Sequence, residues 1–277
     1  MKRVGVLYHP LKESAVKLGR EMARFLRARG VTSWACSAWE PDTARAKMDG
    51  TDLVLTVGGD GTILRAAQVV APTATPITGI NLGTLGFMTE LAVDEAKDKI
   101  IHLLAGEGWT DERALLEAKV TRPDGTPPQK HYALNDVVLA RGAVVRMVFI
   151  DATIDGKAVT TYKADGVVVA TATGSTGYAL AAGGPILHPQ SREMVMLPLL
   201  PHLSASYPLV LPADAEIGLK LRTAYPGALS IDGHTNLEVA SGTVVMVKCS
   251  RNTLRFLRIH PPDTFYASLE KRLKGKQ

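Results

Sequence analysis

Leu53-Val54-Leu55-Thr56-Val57 is a nearly unbroken apolar run that stops at Gly58-Gly59-Asp60-Gly61-Thr62, after which a helical pattern begins at Ile63. A strand with no polar side must be covered on both faces, so this segment predicts an interior strand of a parallel sheet layered by helices. The flanking chain alternates accordingly. Val4 to Tyr8 reads as a first strand. Leu18, Met22, Phe25 and Leu26 fall at helical spacing across residues 14–29, Gly30 follows as a stop signal, and Thr32 to Ala38 returns as a strand. Residues 1 to about 108 therefore predict an α/β domain, a parallel sheet with flanking helices.

Beyond Trp109 the texture changes. Turn signals at Pro123-Asp124-Gly125-Thr126, Asp155-Gly156 and Asp232-Gly233 separate short strand-like runs, which predicts a β-rich antiparallel C-terminal domain. The expected strands include Leu115 to Thr121, Val137 to Ala140, Met147 to Ile154, Val167 to Thr171, Ile217 to Leu221, Val244 to Lys248 and Leu254 to Ile259. Residues 264–274 close with a short helix able to pack on either domain. The expected division is 1–109, 110–260 and a C-terminal helix within 261–277. With 277 residues, 46% of them apolar, the chain is long enough to bury two modest cores.

Several function classes are set aside at this point. The oiliest stretch, Met194 to Leu211, carries Pro198, Pro201, Pro208 and His202, which does not suit a membrane helix. Val4 to Tyr8 is too short for the apolar part of an export signal, so a cytoplasmic protein with no membrane partner is expected. Cys36 and Cys249 lie far apart without zinc-ligand spacing and read as reduced, structural thiols. The formal charge of +5 resides in residues 251–277, with seven basic and two acidic side chains. A basic tail without interleaved aromatics reads as a solvated face, so no nucleic-acid partner is expected.

The Gly58–Thr62 turn joins a buried strand to a helix, where unpaired N–H groups and the helix dipole favour an anion. Gly58, Gly59, Gly61 and Thr62 would let phosphoryl oxygens approach the backbone, and Arg65 would add a cation. Asp60 is out of place beside a phosphate unless it holds a metal ion or takes a proton from an attacking hydroxyl, and both uses belong to phosphoryl transfer. The structural alternative is a tight turn with Asp60 as a helix cap. No Gly-Lys-Ser/Thr follows, so this is not a Walker A loop, and Leu64 stands where a dinucleotide fingerprint has its third glycine.

Two further clusters interrupt the apolar pattern. Asp165 to Tyr178 places glycines and small hydroxyl residues between a strand and a helix expected at Thr176 to Ala182. Ser175 does not sit in a hydrolase elbow, because Thr173 stands two residues before it. Asn135-Asp136 breaks an apolar strand, where such residues are disfavoured; ligand contact is the preferred reading, with a bulge or turn as the alternative.

Taken together, Gly58-Gly59-Asp60-Gly61-Thr62, Asn81-Leu82-Gly83-Thr84-Leu85-Gly86-Phe87, Asn135-Asp136-Val137-Val138 and the run from Asp165 through Gly183-Gly184-Pro185-Ile186-Leu187 resemble the NAD kinase family, in the family's order. The resemblance implies phosphoryl transfer from ATP or polyphosphate to the 2'-hydroxyl of the adenosine ribose of NAD, with Asp60 as base and Gly61 beside it. It implies adenine binding by Asn135 and ribose binding by Asp136. Arg146, Lys163 and Asp165 would touch the dinucleotide, Thr176, Gly177, Tyr178, Ala179, Leu180 and Ala181 would line the adenosine pocket, and His234 would add a polar contact. A divalent cation such as Mg2+ would arrive with the nucleotide, with no protein ligand set for a metal, and the chain would form a homodimer or homotetramer. The family more often has Glu where Asp136 stands and Ser where Ala181 stands. The alternative is a lipid kinase of the diacylglycerol or sphingosine type, which shares the Gly-Gly-Asp-Gly-Thr unit but carries a Gly-Thr-Gly-Asn-Asp segment that is missing here.

Overall fold

A computed structural model describes the chain apart from residues 72, 74, 84, 85, 145, 203–206, 263, 264 and 275–277, and apart from the side chains of 268, 271 and 274. In chain order its elements are β1 (Arg3–Tyr8), α1 (Glu13–Arg27), β2 (Thr32–Ser37), α2 (Pro41–Arg45), β3 (Leu53–Val57), α3 (Asp60–Val70), β4 (Ile77–Ile80) and α4 (Ala96–Ala105). There follow β5 (Trp109–Thr121), β6 (Gln129–Ala133), β7 (Asp136–Arg141), β8 (Val148–Ile154), β9 (Lys157–Ala164) and β10 (Gly166–Ala170). A 3-10 turn (Gly174–Thr176) leads to α5 (Tyr178–Ala181), β11 (Met194–Leu199), β12 (Leu209–Leu211), β13 (Glu216–Arg222), β14 (Gly227–Ile231), β15 (Thr235–Val239), β16 (Val244–Arg258) and α6 (Phe265–Lys274).

The chain divides into two compact units, residues 1–112 with 254–277 and residues 113–253. The backbone passes from one unit to the other inside β5 and inside β16, not through a linker. In the first unit β2, β1, β3 and β4 lie in that order, all parallel, and Phe256 of β16 pairs in parallel with Ile77. All five residues of β3 are buried, as an interior parallel strand requires. Leu18, Met22 and Leu26 recur every fourth residue of α1 and enter a core with Val4, Val6, Leu53, Leu55 and Ile100. Gly30 and Gly106 take left-handed angles where α1 and α4 stop.

The second unit is antiparallel. One sheet runs β16, β13, β8, β9, and the other runs β12, β11, β10, β7, β14, β15. Val137, Leu139, Val167, Val169 and Met196 face one apolar cluster, shared with Ile150, Ile217, Leu219 and Val245 of the other sheet. Their alternate neighbours Val138, Val168, Ala170, Val195 and Leu197 pack on a smaller cluster that includes Ala179 of α5. The apolar run in β10 thus has two covered faces, and the second cover is the segment that follows it. Asp155-Gly156 and Asp232-Gly233 take left-handed angles at hairpin turns, as their sequence signals predict.

Some element boundaries differ from expectation. The runs at 244–248 and 254–259 form one strand, β16, whose polar middle remains extended. The helix expected over 176–182 is a 3-10 turn and a single α turn, interrupted at Gly177 (φ −97°, ψ −126°). The closing helix belongs with the N-terminal residues: Arg272 Nη1 of α6 donates to the Gly86 carbonyl at 2.7 Å.

Candidate active site

In the first unit the corner after β3 depends on glycine. Gly58 has φ +155°, and a side chain there would overlap Thr62 Oγ1. Gly59 caps α3, and Asp60, Gly61 and Thr62 form its first turn, so the helix begins three residues before the expected Ile63. Thr62 and Ile63 N–H groups bond to Gly59 O at 2.9 and 3.4 Å. The Thr62 hydroxyl oxygen is buried and has no hydrogen-bond partner among the described residues.

Asp60 is half-buried, and its carboxylate is held from outside the helix. Phe87 N–H donates to Oδ2 at 2.9 Å and Met88 N–H donates to Oδ1 at 3.1 Å. A carboxylate accepts at about four lone-pair positions, so two backbone donors fix its plane while leaving room for a hydroxyl proton. Gly86 must lack a side chain, because a Cβ there would overlap this carboxylate. Asn81, which starts the same segment, closes a local ring with Gly83 through Nδ2 to O and N to Oδ1, both 3.1 Å; Thr84 and Leu85 lie outside the described residues. Arg65 lays its guanidinium 4.1 Å over the Trp39 ring, and the His9 ring lies 4.5 Å from Trp39 on the same strand ends. Burial, then the charges of Lys12 and Arg65, hold His9 below the usual imidazole range.

In the second unit Asn135 stands in the bend between β6 and β7, and Asp136 opens β7, so the pair does not interrupt a strand interior. Asp232 organises this bend. Its carboxylate accepts from Leu134 N–H (2.9 Å), Asn135 N–H (2.7 Å) and Asp136 N–H (3.1 Å), while its own N–H donates to Asp136 O (2.9 Å). Burial, reinforced by the nearby Asp232 charge, pushes the Asp136 carboxyl up to about 7. Asn135 Oδ1 is buried without a hydrogen-bond partner among the described residues.

The 3-10 turn closes on this bend. Thr171 Oγ1 donates to Leu134 O and accepts from Gly174 N–H, and a side chain at Gly174 would overlap the Asn135 carbonyl. At Gly177 a Cβ would come within 3.5 Å of Asn135 Nδ2 and 4.0 Å of Asp136 Oδ2. Asn135, Asp136, Thr176 and Gly177 therefore share one neighbourhood, and His234 joins it through Asp232, whose carbonyl lies 3.1 Å from His234 Nδ1. Tyr178 and Ala181 are exposed, Leu180 is half-buried and Ala179 is wholly buried. Ser175 is structural, donating to Ala172 O and accepting from Leu187 N–H.

The remaining expected site residues have other surroundings. Asp165 pairs with Arg141 Nε at 3.1 Å, Lys163 is half-buried in β9, and exposed Arg146 lies 5.7 Å from the Tyr225 ring. Among the described residues no group of three or more His, Cys, Asp or Glu side chains is placed to hold a metal ion, and no helix is long and apolar enough to cross a membrane.

Residues 4–108 match the family model of the ATP-NAD kinase N-terminal domain, and residues 134–259 match that of the C-terminal domain. A NAD kinase of Dehalococcoides mccartyi (strain BAV1) is 45% identical over 274 residues, covering 99% of this chain and 96% of the relative. The chain belongs to the NAD kinase family. A NAD kinase of Chloroflexus aurantiacus (strain J-10-fl) is 41% identical, with 99% of each chain covered. Among solved structures, yeast NADH kinase in complex with NADH superposes with a TM-score of 0.86 at 26% identity, covering 98% of this chain and 87% of that one. A NAD kinase from Archaeoglobus fulgidus in complex with ATP shares the fold, with a TM-score of 0.77 at 23% identity and 99% of each chain covered. The lipid-kinase alternative gives way to these full-length matches.

The bend that carries Asn135 and Asp136 is held by a residue whose part the sequence disguises. Asp232 reads only as half of an Asp-Gly turn, yet its side chain bonds the backbone on which Asn135 and Asp136 stand. The buried setting of that turn, between apolar β14 and a strand-like β15, was the available signal.

Proposed function

We propose that this NAD kinase family member transfers the terminal phosphoryl group of ATP, or of polyphosphate, to the 2'-hydroxyl of the adenosine ribose of NAD, giving NADP. The observation that carries the reading is Asp60, a carboxylate set in the anion-favouring first turn of α3 and aimed by two backbone donors. In the reaction Asp60 takes the proton of the 2'-hydroxyl as the hydroxyl oxygen bonds to the terminal phosphorus and the phosphoanhydride bond breaks, so that ADP, or the polyphosphate shortened by one unit, leaves with the bond electrons. Gly59, Gly61 and the Thr62 hydroxyl, which has no partner among the described residues, receive phosphoryl oxygens, whereas the expected Gly58 N–H already donates to Ile80 O at 3.0 Å; a divalent cation carried by the triphosphate would supply charge neutralisation.

NAD binds to the second unit. The unpartnered Asn135 Oδ1 accepts from the adenine amino group, Asp136 bonds the ribose hydroxyls, and Thr176 to Ala181 line the nucleoside pocket. Arg146, Lys163, Asp165 and His234 complete the contacts, and the working form is a cytoplasmic homo-oligomer; similarity to the family supports these last assignments. The test is formation of NADP by the purified chain with a divalent cation, comparing ATP with polyphosphate and NAD with NADH. Absence of phosphorylated dinucleotide under all combinations overturns the reading.

A further inference from the structure

One of the two peptide groups that aim Asp60 is itself held from the opposite side, and the peptide after the other is held too. Arg272 Nη1 donates to Gly86 O at 2.7 Å, and that carbonyl belongs to the same peptide group as the Phe87 N–H that donates to Asp60. A cation thus lies at one end of a single amide and the Asp60 carboxylate at the other. Hydrogen bonds in such a row polarise one another, so the guanidinium strengthens the Phe87 donor. The following peptide is held as well: Arg258 Nη1 donates to Met88 O at 2.8 Å, one peptide beyond the Phe87–Met88 amide whose N–H donates to Asp60.

Arg258 is itself immobilised. Its side chain is 7% exposed, with Nε and Nη2 each 3.2 Å from Asp111 Oδ2, Nη1 3.1 Å from Glu90 Oε2, and its plane 4.7 Å from the Phe256 ring. Glu90 in turn accepts from the N–H groups of Ile259 and His260, both at 2.9 Å. A planar fork with five donors suits this task; it bridges two buried acids and still reaches a carbonyl.

We propose that Arg272 and Arg258 are positioning residues for Asp60, acting through the Gly86–Phe87 peptide and the Met88 carbonyl to set the plane in which the carboxylate meets the ribose hydroxyl. Neither residue touches the reacting atoms. The inference rests on Asp60 being the base, and the experiment separates the two ideas.

Steady-state kinetics of Arg272→Met, Arg272→Lys, Arg258→Lys and Asp60→Asn are measured beside the parent enzyme, with thermal melts of each. A slightly misaimed base costs turnover without costing ground-state binding, so Arg272→Met is expected to lower kcat by about 10- to 100-fold with both KM values within about twofold. Arg272→Lys restores most of that loss, because an ammonium still reaches one carbonyl, and the melting temperatures of the two Arg272 variants agree. A merely structural role would lower the melting temperature and leave kcat per folded enzyme unchanged. That outcome, or a loss confined to KM, overturns the inference while Asp60→Asn remains impaired. Full activity of Asp60→Asn overturns the assignment of the base itself. Should Arg258→Lys not fold, the Arg272 pair alone decides.

Discussion

The carboxylate of Asp232 lies 2.7 Å from the backbone nitrogen of Asn135, 97 residues earlier in the chain. One side chain in the β14–β15 turn thereby fixes the backbone from which two proposed dinucleotide ligands project. It gathers three consecutive N–H groups, from Leu134 to Asp136, across the bend that leads into β7.

Removing that carboxylate strands three donors, two of them buried and that of Asn135 part-buried. Each uncompensated group costs about 1–3 kcal/mol, so Asp232→Ala is expected to lose about 3 kcal/mol or more in denaturant unfolding, with weaker NAD binding in calorimetry. Asp232→Asn keeps one acceptor oxygen and falls between. An unchanged unfolding midpoint for the alanine variant would show that the bend does not depend on Asp232.

Asp60→Asn preserves the size of the side chain and removes its basicity. Turnover is expected to fall by about 100- to 10,000-fold, the usual contribution of a positioned base, while NAD affinity stays close to that of the parent. Equal rates of NADP formation would remove Asp60 from the chemistry.

Asp136 gives stability a pH dependence of defined sign. Its carboxyl is raised from 3.8 to about 7 in the folded chain, by burial first and then by Asp232. The folded state therefore binds the extra proton more tightly than the unfolded state does, and this contribution is fully present below pH 3.8 and lost as pH rises through about 7. Asp136→Asn, which stays neutral, should be more stable than the parent at pH 8, with the advantage shrinking steadily towards pH 4. Urea titrations of both proteins across that range test it; a constant difference would refute the assignment.

Gly174 lies so close to the Asn135 carbonyl that a Cβ would overlap it. The obstacle is backbone, so relief requires the bend or the 3-10 turn to move. Gly174→Ala is expected to cost about 1–3 kcal/mol in urea unfolding and to weaken NAD binding. A fully stable variant with parental affinity would show that the bend has slack.

The α/β half was legible because its signals are local. β3 is buried over its whole length, and α1 repeats Leu18, Met22 and Leu26 at one spacing, so periodicity alone places both. β16 was harder, since Lys248 to Thr253 is polar apart from Cys249 and reads as a break, whereas strand pairing with β13 carries the first part and pairing with β4 the last. The corner at Gly58–Thr62 was recognisable as a glycine turn between strand and helix, but the helix start at Asp60 was not, because glycine at 61 masks helical propensity. Least legible were the supports of the site. Asp60 is held by amides of Phe87 and Met88, and Asn135 by Asp232; backbone donors leave no trace in residue identity, and the partners are distant in sequence.

The unit that bears Asp60 is assembled from two stretches far apart in sequence, residues 1–112 and 254–277. During translation the ribosome releases Asp60 and residues 86–88 well before Arg258 and Arg272, which bond the Gly86 and Met88 carbonyls. A product cut short before residue 258 would contain Asp60 and both amides that hold it and yet lack the guanidinium that bridges Glu90 and Asp111. Under the proposal above, the Asp60 carboxylate reaches its final setting only after the stretch that holds Arg258 and Arg272 has been made.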